Sequence, residues 1–387
     1  MAISAERGQL ERFLETVRVE GAGVAGIDAI RHVLPDRVTY VPEIDFTFRC
    51  LRDYWANPIG PRTALAGYRD GFFPSSADAY DFDRYDVEDY VSDFARTHFG
   101  WKINGDAAIY LDDKGEFYDV FANRGLDEYL PTLFGRVVDG ELVGTDESLA
   151  TLIRDQGRLV VKGVEGGSGN HVHVCRAKRG SVYVDGIQVR DDRLGDVFDE
   201  QEYLVTEFCQ SGSYVRSIYP DAVSTVRAIT MHPDEEEPFV AHLTHKIGTE
   251  RTAPADTFGA GGISVHVDRS GRFGTGVRLE EGRLVPCTEH PDTGEVIPGT
   301  TIPEWGVIRD TLLDIISELP ELRYVGWDIV VTEEGELRIL EGNTNPGVEV
   351  QFHEPLLAEP LARRFFAQCG FPPNASPLDR VAPVMNA

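Results

Sequence analysis

Two hydrophobic periods divide the chain. From residue 1 to about 100, apolar positions recur every three or four residues. In "AERGQLERFLETV" they are Leu10, Phe13, Leu14 and Val17, and in "DVEDYVSDFART" they are Val87, Tyr90, Val91 and Phe94. Both stretches read as amphipathic helices. Between them, "GPRTALAGYRDGFFPSS" is rich in Gly, Pro and Ser and reads as loop. Beyond about residue 104 the period shortens. "GRLVVKGVEG" and "QEYLVTEFC" read as strands, "AVSTVRAITMH" and "PFVAHLTHKIG" as an antiparallel pair, and "GISVHVDRSGRFGTGVRL" as a hairpin about a Ser-Gly turn. "WGVIRDTLLDIISELP" is an amphipathic helix closed by Pro320, and "EPLLAEPLARRFFAQCG" a terminal helix before a loose tail. The pattern predicts a mixed α/β (α+β) protein with antiparallel sheets and a mainly helical N-terminal region.

One predicted hairpin breaks its own pattern. "YVGWDIVVTEEGELRILEGNTNP" (residues 324–346) has two apolar runs about a Glu-Glu-Gly-Glu turn, yet carries Asp328, Glu341 and Asn343. A turn centred on Glu334–Gly335 places Asp328 opposite Glu341. Asn343 lies two residues on and shares that face. A bulge would slip the register by one and spoil the alignment. Two close carboxylates repel and are costly without a cation between them. One or two carboxylates completed by phosphate oxygens and waters suit Mg²⁺. The competing reading is a solvated acidic face; the apolar flanks favour a lined cavity.

Charge sharpens the picture. The chain has 65 acids against 37 bases, a net charge of −28. Only five of the bases are lysine: Lys102, Lys114, Lys162, Lys178 and Lys246. An acidic, lysine-poor surface is suited to a salt-filled cytoplasm, where screening relieves self-repulsion. A halophilic host is therefore expected. A GC-rich genome would explain the arginines but not the acid excess. Such a surface repels phosphate backbones, which argues against nucleic acid as a partner. No apolar run is long enough to span a membrane, and no secretory leader is visible, so a cytoplasmic location without membrane insertion is expected. The five scattered cysteines, with no Cys-x-x-Cys, read as buried reduced thiols.

Lysine scarcity gives weight to "VVKGVEGGSGNHVHV", where Lys162 ends a strand before Gly163, Gly166, Gly167 and Gly169. Glycines let backbone N–H groups approach phosphates, and lysine adds a point charge. No Walker sequence is present. Lys114 opens a predicted helix. "LVTEFCQSG" could link two lobes, and Arg227 in "STVRAITM" sits on a strand. A buried Arg pairs with a carboxylate or clamps a phosphoryl group.

In this order, Lys114, Lys162 with its Gly-rich loop, Glu207, Arg227, then Asp328, Glu341 and Asn343 resemble the ATP-grasp superfamily. More narrowly, "TVRAIT", "DTFGAGGISVHVD", "YVGWDIVV" and "LEGNTNPGVEVQFH" resemble the sugar-transfer-associated ATP-grasp family, allied to α-L-glutamate-ligase-like proteins, over roughly residues 100 to 370. The resemblance implies two α+β lobes clasping ATP, over 104–205 and 206–372, after a helical region 1–103 and before a tail 373–387. It implies that Lys114 and Lys162 hold the α- and β-phosphates and that the loop from Gly163 to Gly169 closes over them. Glu207 and the backbone near Phe208 and Cys209 would bind adenine. Asp328, Glu341 and Asn343 would hold two Mg²⁺ (or Mn²⁺), with Arg227 at the transferring phosphoryl group. Asp256, Gly261 and Gly262 would lie near the acceptor. His171, His173 and His245 are expected to be core or surface residues.

The expected activity is an ATP- and Mg²⁺-dependent ligase joining a carboxylate to an amine or thiol through an acyl phosphate. A sugar or polyol kinase and a non-catalytic nucleotide-binding module are the alternatives. A role in polysaccharide or cell-surface polymer synthesis follows only from the family's name. The sequence names neither substrate nor oligomeric state.

Overall fold

The computed structural model describes residues 22–34, 41–164, 171–198 and 201–379. The predicted helix at 5–17 and the tail after 379 lie outside them. Two compact units divide the chain: residues 1–103, 279–285 and 347–387 form one, and residues 104–278 and 286–346 the other.

The first unit is helical. Its helices include Ala22–Val33, Pro42–Ala56, Pro61–Arg69, Pro74–Ala79, Asp93–Phe99 and Pro360–Gln368. The stretch 60–76, expected as loop, instead holds two helix starts. Pro61 and Pro74 each stand in the first turn, where the missing N–H costs nothing and the ring presets φ. Gly67 serves close packing: a Cβ there would come within 2.7 Å of the Ala77 methyl carbon. The expected single helix over 86–97 is also corrected. A 3-10 turn, Val87–Asp89, ends at Tyr90, and Ser92 caps a separate helix by accepting from Ala95 N at 3.1 Å. Tyr90, Val91 and Phe94 are still buried. Tyr80 stacks on Tyr90 with centroids 4.4 Å apart.

Two seven-stranded sheets follow, in the second unit except for residues 279–285. The first comprises β1 (Leu133–Val138), β2 (Glu141–Val143), β3 (Arg158–Gly163), β4 (Val172–Lys178), β5 (Ser181–Val184), β6 (Ile187–Val189) and β7 (Tyr203–Glu207), in the order β2-β1-β7-β3-β4-β5-β6. The second comprises β8 (Thr225–Met231), β9 (Phe239–Ile247), β10 (Ile263–Val267), β11 (Phe273–Glu280), β12 (Arg283–Cys287), β13 (Tyr324–Val331) and β14 (Leu337–Asn343), in the order β12-β11-β10-β9-β8-β13-β14. Helix α1 (Lys114–Asn123) contributes Phe117 and Phe121 to the core of the second sheet, and α3 (Trp305–Ser317) contributes Ile308, Leu312 and Ile315. Helix α2 (Leu149–Gln156) packs Leu152 and Ile153 into the core of the first.

The second sheet has one dry face and one polar face. Val226, Ala228, Leu243, Trp327 and Ile329 join the core. Their neighbours Thr225, Arg227, Thr244, Lys246 and Asp328 point the other way, as the two-residue pleat requires. Burial alone hides this alternation, because every residue of β8 and of β13 is buried.

Asp328 does stand opposite Glu341, by an unexpected route. Near the turn the pairs are Val331–Leu337 and Ile329–Ile339, one residue off the even-loop register, with Gly335 at φ +78°. A bulge at Leu340 then restores the alignment, so two irregularities cancel.

Candidate functional site

A row of side chains crosses the polar face of the second sheet. Glu341, Asp328, Arg227 and Thr244 are cross-strand neighbours on β14, β13, β8 and β9. Directly opposed residues share a face. Arg227 grips Asp328 with two bonds, Nε to Oδ1 at 2.8 Å and Nη2 to Oδ2 at 2.9 Å. Lys246 Nζ lies 3.0 Å from Asp328 Oδ1 and 3.6 Å from Asp256 Oδ1. Asp256 Oδ2 is fixed by Thr225, whose N and Oγ1 donate at 2.8 and 2.7 Å.

Burial and pairing compete across this cluster. Burial raises the Asp328 carboxyl, but Arg227 and Lys246 overcome it and hold the group at about 2. Glu341 goes the other way: burial and the facing Asp328 push its carboxyl up. Burial also raises Asp256, despite Lys246 beside it. Lys246 loses basicity to burial but regains more from Asp256 and Asp328.

Two more lysines approach from the far side of Glu341. Lys114 opens α1, whose N-cap Asp113 accepts from Gly115 N at 2.7 Å and Glu116 N at 3.0 Å. Lys162, at the end of β3, donates to the Leu340 carbonyl at 3.3 Å and lies 5.0 Å above the Tyr118 ring. The bulged residue therefore meets the first sheet's lysine. Burial lowers both lysines, Lys162 to about 8, while Glu341 opposes the shift. Lys114, Glu341 and Asn343 line a cavity of about 300 Å³.

The expected adenine residues follow β7. Glu207 accepts from Thr132 N and Oγ1 at 3.2 and 3.0 Å. The Arg158 guanidinium lies 3.3 Å above the Phe208 ring. Cys209 is buried, and burial pushes its thiol up to about 12. Gly163 ends β3 against Gln201, whose side chain a Cβ would meet at 2.8 Å. Gly166, Gly167 and Gly169 lie outside the described residues.

Gly261 and Gly262 shape the loop that carries Asp256. Gly261 adopts φ +115°, and a Cβ on Gly262 would come within 2.5 Å of the Asp256 carbonyl oxygen. His245 is a core residue: its Nδ1 donates to the Lys246 carbonyl at 3.0 Å, and its Nε2 accepts from Tyr214 Oη at 2.9 Å. Burial lowers it to about 3, so it is neutral. His173 bonds Asp185 at 2.8 Å, and His171 is exposed.

Lys246 is the residue that sequence reasoning did not assign. Its signal was available: lysine is rare in this chain, and Lys246 sits within the predicted strand PFVAHLTHKIG. The donor set suits Mg²⁺. Among the described residues no three His, Cys, Asp or Glu side chains form a metal cluster, so a cation would need phosphate and water ligands as well. Burial and the facing Asp328 raise the Glu341 carboxyl, and a divalent cation between the two would relieve the same repulsion. Asn343 Nδ2 donates to the Gly326 carbonyl at 3.2 Å, so Oδ1 is the atom with which this side chain would meet a cation.

Two facing antiparallel sheets whose lysines and carboxylates converge in this way define the class, an ATP-grasp fold. The model of the family described as sugar-transfer associated ATP-grasp matches residues 95–361, and the chain belongs to that family. No curated protein matches it. Among solved structures, it is similar to N5-carboxyaminoimidazole ribonucleotide synthetase from Thermotoga maritima at 11% identity and a TM-score of 0.35, over 69% of this chain and 51% of that one. It is also similar to the D-alanine–D-alanine ligase from Coxiella burnetii, at 11% identity and a TM-score of 0.35, over 67% and 58% of the two chains. D-Alanyl-alanine synthetase A from Vibrio cholerae is similar at 12% identity and a TM-score of 0.39, over 67% and 64%. The chain thus spans about half to under two thirds of these proteins' lengths. No helix among the described residues is long and apolar enough to cross a membrane.

Proposed function

We propose that this chain is an ATP- and Mg²⁺-dependent ligase that joins a carboxylate to an amine or thiol. The observation that carries the reading is the convergence of Lys114, Lys162 and Lys246 with Glu341 and the Arg227–Asp328 pair. Four cations beside two carboxylates suit a polyphosphate with its metal, and family membership supports the same reading.

Lys114 and Lys162 hold the α- and β-phosphates, the loop after Gly163 closes over them, and Glu207 with the backbone at Phe208 and Cys209 receives adenine. Asp328, Glu341 and Asn343 hold the metal, two Mg²⁺ or Mn²⁺ in place of them. When bound, the metal supplies charge neutralisation and Lewis acidity at the γ-phosphoryl group. Arg227 and Lys246 then face the transferring group as fixed positive charges. A substrate carboxylate oxygen attacks the γ-phosphorus and ADP leaves. The amine or thiol attacks the acyl carbon, loses its proton and expels phosphate. The protein contributes mainly positioning and charge. A cytoplasmic setting in a halophile and a part in polysaccharide or cell-surface polymer synthesis complete the reading.

Hydroxylamine tests it, because it traps acyl phosphates as hydroxamates. With Mg·ATP and a panel of carboxylic acids, the ligase reading predicts hydroxamate, ADP and phosphate in equal amounts. A phosphorylated product without free phosphate would instead make the protein a kinase. Nucleotide binding without turnover under any condition would make it a binding module.

A further inference from the structure

We infer that the carboxylate substrate is a hydroxylated acid seated over β9 and β10, with Thr244 as the residue that recognises it. This rests on the ligase reading of the same centre. Lys114, Lys162 and Glu341 mark the nucleotide side, at the β14 edge of the second sheet. In an in-line transfer the leaving ADP and the attacking oxygen stand on opposite sides of the phosphoryl group. From that edge the row runs Glu341, Asp328, Arg227, Thr244, His266, so the attacking carboxylate belongs beyond Arg227.

Beyond Arg227 the row continues in polar side chains. Thr244 and His266 are paired across β9 and β10, His242 precedes Thr244 by two residues on the same face, and Ser264 pairs with Lys246. Thr244 is 0% exposed, and its Oγ1 has no hydrogen-bond partner among the described residues. A buried hydroxyl without a partner is costly, and a valine would fill the same shape without that cost. A substrate hydroxyl over β9 would satisfy it. An apolar acid would leave it unpaired, so the site discriminates by the hydroxyl.

The test compares wild type with Thr244→Val. ADP release from Mg·ATP is measured with gluconate, glucuronate and galacturonate, and with hexanoate and cyclohexanecarboxylate, hydroxylamine being the nucleophile. Mg·ADP affinity is measured by calorimetry and the melting temperature of the ligand-free protein by scanning calorimetry. The hydroxylated acids should stimulate release and the apolar acids should not. Thr244→Val should lower kcat/KM for the acid by about tenfold or more, chiefly through KM. Its Mg·ADP affinity should stay unchanged and its melting temperature equal or higher. Preference for the apolar acids overturns the inference, as does no stimulation by any hydroxylated acid, or an unaltered KM in the variant. With Mg·ADP binding intact, those outcomes leave the nucleotide-site reading standing. Failure of the wild type to bind Mg·ADP would remove the ground for both.

Discussion

Lys162 and Glu341 both sit where burial opposes their charge, in opposite senses. Lys162 is lowered to about 8 from an ordinary 10.5, so between those values the folded state holds fewer protons than the unfolded one. Stability from this group therefore rises with pH across that window. Nucleotide phosphates act the other way, because they favour the ammonium. Affinity for Mg·ADP should be full below about pH 8 and fall by up to about tenfold per pH unit above it. Calorimetry in buffers of different ionisation enthalpy should show proton uptake on binding; affinity flat across that range would refute the assignment. Glu341→Gln keeps the shape and removes the repelled carboxylate. The ligand-free variant should melt higher than wild type, while ATP turnover falls by about two orders of magnitude or more. Wild-type turnover in that variant would show that Glu341 holds no metal.

Elements explain what the sequence could and could not disclose. The hairpin's acids were legible because carboxylates interrupt two apolar runs. Its bulge was not, because Leu340 meets Lys162 from the other sheet, 178 residues away in sequence. Lys246 escaped assignment for a similar reason: its partner Asp256 lies in an irregular loop with no period to read. Pro61 and Pro74 were misread as loop residues because a proline that begins a helix and one that breaks it look alike locally. Arg227 was read as a clamp or a buried partner, and in the fold it is the partner of Asp328. Arg227→Met should cost about 3 kcal/mol in urea unfolding, because it strands a buried carboxylate. Lys246 remains to moderate the loss, and Arg227→Met with Asp328→Leu should recover much of it. A loss well under 1 kcal/mol, on the scale of ordinary surface changes, would mean that the pair is solvated. In the helical unit, Ser92→Ala should cost about 1 kcal/mol through the lost cap, again read by urea unfolding.

At the scale of the whole molecule, a mixed α/β fold with antiparallel sheets and a helical N-terminal region was carried by hydrophobic period and turn residues, and the two lobes only by the resemblance. The family rested on the order of its polar residues. The net charge of −28 sets a further expectation. Screening should stabilise the native state, so the melting temperature should climb between low and molar KCl. A melting temperature that does not rise would argue against a halophilic adaptation. The central claim is that a carboxylate oxygen attacks the γ-phosphorus of ATP at this centre. Turnover with an acid labelled by ¹⁸O in its carboxylate, followed by mass analysis of the released phosphate, tests it most directly. The account predicts one ¹⁸O atom in each phosphate, carried over when the nucleophile displaces it from the acyl carbon. Phosphate free of the label, or label retained in a phosphorylated product, would contradict it.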